Sequence, residues 1–75
     1  MGAPGGDWEI DLLDLNAALG ELSALDSRKA RVFELRFFGG LSFAEAASEL
    51  AIAPKTAEAD WYMARAWLQQ RLVQH

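Results

Sequence analysis

The stretch "SFAEAASELAIAPKTAEADWYMARAWL", Ser42 to Leu68, decides the fold. Its first four residues have the S-x-x-E spacing in which the Ser42 hydroxyl and the Glu45 carboxylate each satisfy a free backbone N–H at the start of a helix. That helix is short and ends near Leu50, because "AIAP" breaks the pattern. Pro54 fits the first position of the next helix, where its missing N–H costs nothing, and this helix runs to about Val73. Along it Ala57, Trp61, Ala64 and Leu68 recur at helical spacing as an inward stripe, leaving Lys55, Glu58, Ala59, Tyr62 and Met63 outward.

Upstream, Trp8, Leu12, Leu15, Leu19 and Leu22 recur at steps of four and three, one stripe of a first helix, and Asp7, Glu9 and Asp11 suit its positive N-terminal end. "ALDSRKARVFELRFFGG" supplies Asp26 as N-cap of a second helix, with Ala30, Phe33 and Phe37 on one face and Val32 and Leu35 beside it. Gly39-Gly40 ends it. Arg28, Lys29, Arg31 and Arg36 cluster on this helix and read as a solvated face. The expectation is an all-α, four-helix domain over residues 7–75, with a helix-turn-helix at about 42–73, no wing, and Met1–Gly6 as a flexible leader.

Composition narrows the function. A hydrophobic content of 52% with three Trp and four Phe is ample for a compact core in 75 residues, although a chain of this size buries only about 60% of the surface its unfolded form exposes. There is no Cys, and the one His is His75, so disulfides, thiol nucleophiles and Cys/His zinc sites are excluded. The lack of Cys suits a reducing cytoplasm. No apolar run approaches the roughly 18 residues of a membrane span. With scattered carboxylates and no Gly-rich phosphate loop, the expectation is no enzyme, no cofactor, no metal and no small-molecule substrate. The net charge of −4 has the wrong sign for a free module held on DNA by phosphate attraction, and residues 41–75 carry three bases against four acids.

Two helices joined by a tight turn, the second opening with Pro-x-Thr, describe a helix-turn-helix whose second helix enters the major groove. The series Leu25, Arg31, Val32 or Phe33, Leu35-Arg36-Phe37, Gly40-Leu41-Ser42, Glu45, Ala47, Leu50, Thr56, Arg65-Ala66 and Leu68 resembles region 4 of sigma-70 family transcription initiation factors, particularly the extracytoplasmic-function group. The resemblance covers about Leu12 to Leu72. It implies a role in transcription initiation, with the last two helices on the upstream promoter element and another surface on the β flap of RNA polymerase. It also implies either an excised C-terminal domain or a stand-alone relative, since a complete sigma factor needs a preceding domain.

The departure lies after Thr56. There the family usually has Val and then Lys, Arg and Ser, whereas this chain has Ala57-Glu58-Ala59-Asp60, placing Glu58 and Asp60 where bases are read. Lys55, with Arg65 and Arg71, offsets these acids. The candidate DNA-binding residues are Ser42, Lys55, Thr56, Glu58, Ala59, Tyr62, Met63 and Arg65. Ser42 can donate to a phosphate as well as cap, and Arg65 can touch a phosphate or reach Glu45 as an interhelical ion pair. Tyr62, Met63 and Trp67 form a candidate partner patch, with Trp67 packing on the first helix as the alternative.

Two readings stand open beside the promoter reader. One is an interaction module on the same scaffold, docking on polymerase, an anti-sigma protein or a second copy as a homodimer. The other is the output domain of a LuxR-like regulator, which shares the helix-turn-helix but fits the Arg65-Ala66-Trp67-Leu68 ending less well.

Overall fold

A computed structural model describes residues 12–73, and the side chains of 13–72. Four helices follow one another without a strand among the described residues: α1 Leu12–Leu25, α2 Ser27–Phe37, α3 Phe43–Leu50 and α4 Pro54–Val73. The expected starts of the leader and first helix, with Trp8 and the acids Asp7, Glu9 and Asp11, lie outside the described residues.

Each boundary has a local cause. Asp26 caps α2 from extended backbone, its Oδ1 accepting from the Lys29 N–H at 3.2 Å. Gly40, at φ 71°, lets the chain reverse after α2. Ser42 and Glu45 form the reciprocal cap of α3, with the Glu45 N–H on Ser42 Oγ at 3.1 Å and the Ser42 N–H on Glu45 Oε1 at 2.9 Å. Helix α3 then stops at Ala51, which takes the left-handed conformation at φ 57° and ψ 45°. The Ile52 N–H reaches back to Ala47 O at 2.9 Å, which helps close the three-residue turn into α4.

The core forms where α1, α2 and α4 meet. Leu15, Leu19 and Leu22 of α1 are buried with Ala30 and Phe33 of α2 and Ala64 and Leu68 of α4, and Trp61, Trp67 and Leu72 pack against them. Phe33 is fully buried and stacks on Phe37 and Trp61 at centroid separations of 5.1 and 5.0 Å. Helix α3 contributes its alanines, Ala46 and Ala47, whose small side chains let it lie close to its neighbours. The described part of the α1 stripe, Leu15, Leu19 and Leu22, and the stripe of α4 face inward as the periodicity requires. On α2, Phe37 keeps the face of Ala30 and Phe33 by stacking on Phe33, though at the last residue of the helix it is 42% exposed.

Candidate nucleic-acid interface

Helix α4 presents one face to solvent. Lys55, Glu58 and Ala59 are exposed, Tyr62 and Met63 are 54% and 58% exposed, and Thr56 and Arg65 flank them half-buried. Ser42 is exposed at the head of α3. All eight candidate residues therefore reach the surface, seven of them along α4 and Ser42 on its packing partner. Ala57, Ala64 and Leu68 on the opposite face are fully buried, which fixes how α4 is rotated on the core.

Asp60 overturns one expectation. It does not face outward with Glu58 but is 2% exposed. Its Oδ2 accepts from Arg28 Nε at 2.6 Å and its Oδ1 from Arg28 Nη2 at 3.2 Å, with Lys29 Nζ 3.7 Å from Oδ1. The physical reason is phase. Asp60 comes three residues after Ala57 and four before Ala64, so it belongs to the inward stripe, and a buried carboxylate must find a cation. The outward face of α4 thus carries Lys55 and Glu58, which cancel, and not a net negative charge.

The same contacts correct the reading of α2 as a solvated basic face. Arg28 clamps Asp60, and that hydrogen bond holds its guanidinium protonated still more firmly than usual. Lys29 Nζ sits 2.7 Å from Asp26 Oδ2; this contact raises the ammonium above its ordinary range and lowers the Asp26 carboxyl below its own. Arg36 lies over the Phe43 ring at 4.0 Å and over Trp61 at 5.0 Å, while its Nη1 donates to Leu41 O at 3.0 Å. The Arg36 Nε is buried without a hydrogen-bond acceptor, so the ring faces stand in for one. Only Arg31 of the four is exposed on the outer side of α2 without a contact of this kind. Arg71 likewise does not offset acids on the outward face. It pairs with Glu21 of α1 and lies over the Trp67 ring.

A second surface is apolar. The exposed side chains of Leu25 and Met63 stand at the edges of an open groove floored by Leu22, Ala66 and Trp67, between the end of α1 and the second half of α4. Trp67 is half-buried there, packed on the core and still accessible from the groove. Phe37 and Phe38 form another exposed pair, edge to face at 5.1 Å, at the end of α2. Among the described residues no group of three or more acids or histidines is placed to hold a metal ion, and no helix is long and apolar enough to cross a membrane.

Neither the curated proteins nor the solved structures gave a significant match. The family described as ECF sigma factor matches residues 7–74, nearly the whole chain. The chain belongs to the ECF sigma factor family, whose members act in transcription initiation with RNA polymerase.

Proposed function

We propose that residues 7–75 form a region 4-like domain that lays α4 in the major groove of the upstream promoter element while another face seats on the β flap of RNA polymerase. The observation that carries this reading is the outward face of α4, solvent-exposed from Lys55 to Met63 and fixed in rotation by Ala57, Asp60, Ala64 and Leu68 on the other side. N-terminal residues of such a helix are the ones that meet base edges. Ser42, at the head of α3, is available to a phosphate through its hydroxyl proton while its oxygen serves the cap. Lys55 and Arg65 supply the positive charge.

Low intrinsic affinity is no obstacle to this role. A domain held on polymerase meets promoter DNA at high effective concentration, which replaces the phosphate attraction that a net charge of −4 forgoes. The test is fluorescence anisotropy of the chain against random-sequence duplex at low and physiological salt, with Glu58→Arg in parallel. Binding that weakens with salt and tightens in the variant is expected. No binding by either protein at low salt would overturn the reading.

The second reading, an interaction module for polymerase, an anti-sigma protein or a second copy, is favoured by the groove beside Trp67 and by the exposed Phe37-Phe38 pair. Self-association in light scattering, together with failure to bind duplex, would select it.

A further inference from the structure

A carboxylate on a helix that lies in the major groove faces phosphates on both sides and is unfavourable unless it accepts hydrogen bonds there. Glu58 is such a carboxylate. It is exposed and makes no ion pair or hydrogen bond to any described residue, in contrast to Glu45, committed to the α3 cap, and Asp60, committed to Arg28. Its position is held firmly: it lies one residue after buried Ala57 and two before the clamped Asp60, so α4 cannot turn to withdraw it.

The neighbouring residues limit what this face can recognise. Guanine is read by Arg or Lys and adenine by Asn or Gln, in each case through paired hydrogen bonds. Lys55 stands exposed one turn before Glu58, and Arg65 is half-buried at the far end of the face. Between them, from Thr56 to Ala64, the outward positions hold none of these four types and are Glu58, Ala59, Tyr62 and Met63. The base edges that suit acceptors and apolar groups are the exocyclic amino group of cytosine and the methyl of thymine. One turn of helix carries both kinds side by side, Glu58 as acceptor and Ala59 as apolar contact, with Met63 four residues beyond Ala59 on the same flank.

Resting on the promoter-reading role, we propose that Glu58 is the specificity-determining residue of α4: its carboxylate accepts from the N4 amino group of a cytosine, and Ala59 packs against the methyl of an adjacent thymine. The acid is then the source of sequence choice and not a defect in DNA binding. The Arg28–Asp60 clamp sets the rotation that aims it.

The experiment is selection of bound sequences from a pool of 20-base-pair duplexes with randomised centres, at low salt, by the native chain, Glu58→Gln and Glu58→Ala, followed by anisotropy on the selected duplexes. The native chain should enrich cytosine at one position. Glu58→Gln should move that position toward adenine, with a change of roughly tenfold in the cytosine-to-adenine ratio, the scale of one good base contact. Glu58→Ala should lose the preference there while keeping the others. If both variants bind all duplexes more tightly by one common factor, Glu58 only repels phosphates; the inference falls and the promoter-reading role stands. If no protein binds duplex, both fall. Circular dichroism of each variant shows whether the helices are intact, and the exposed position of Glu58 predicts that they are.

Discussion

Arg28 of α2 and Asp60 of α4 are joined by two hydrogen bonds, 2.6 Å from Nε to Oδ2 and 3.2 Å from Nη2 to Oδ1. The acid is buried while the guanidinium remains half in water, 49% exposed. Removing the acid leaves a cation that solvent can still reach; removing the cation leaves a buried carboxylate, with Lys29 3.7 Å away as its remaining charge partner. Arg28→Ala should therefore lower the melting temperature more than Asp60→Ala. Asp60→Asn, which keeps an acceptor for Nε, should lie closer to the native value than either. Thermal melts of the three variants under one condition check the order.

Acid titration isolates the α2 cap. Lys29, through its ammonium and its backbone N–H, holds the Asp26 carboxyl below its usual range. A carboxyl depressed in the folded state binds its proton more readily when unfolded. Its contribution is complete above the unfolded value and fades as pH falls through about 4 and below. Lys29 is shifted upward, so its side of the pair is complete at neutral pH and is lost only as pH rises beyond the ordinary lysine range. Asp26→Asn, which still caps, should flatten the acid limb of stability against pH and leave neutral-pH melting only slightly lower. Urea unfolding at pH 3 to 7 measures both.

Much of this was legible in the sequence, because caps and stripes are local. Ser42 and Glu45 stand at capping distance, Pro54 marks a helix start, and the apolar steps of α1 and α4 name their buried faces. The charges were less legible. Asp60 looked like a surface acid because its partner lies 32 residues away on another helix. Yet its phase with Ala57 and Ala64 was a usable signal, and applying the periodicity to every residue type, not the apolar ones alone, would have placed it inside. Arg36 gave no such signal, since only the folded chain brings Phe43 and Trp61 over it. The outward face of α4 was identified correctly because exposure follows from the same period as burial.

Ala51 carries strain that a single substitution removes. It ends α3 in the left-handed region, where an L residue costs about 1–2 kcal/mol and glycine nothing. Glycine gives back roughly 0.5–1 kcal/mol in the unfolded chain. Ala51 is exposed, so no packing is lost. Ala51→Gly should stabilise by up to about 1 kcal/mol, measurable by urea unfolding. Gly40→Ala, at φ 71° in open space, should do the reverse.

Ala53 is the N-cap of α4, since its carbonyl accepts the first helical bond from the Ala57 N–H at 3.0 Å. The alanine side chain leaves the free N–H groups of the first turn to water. A serine hydroxyl there could accept from the Thr56 N–H, the third helical position, as Ser42 does from Glu45 one helix earlier. Ala53→Ser should add about 1 kcal/mol, a rise of roughly 4–8 °C in melting temperature for a domain this small. Because Ala53 is exposed, the gain should come without repacking. A melting temperature that stays level or falls would mean that the turn holds this backbone where a side-chain oxygen cannot reach the Thr56 N–H. Combined with Ala51→Gly, two residues away in the same turn, the effects should fall short of additive if the glycine loosens the geometry the cap depends on.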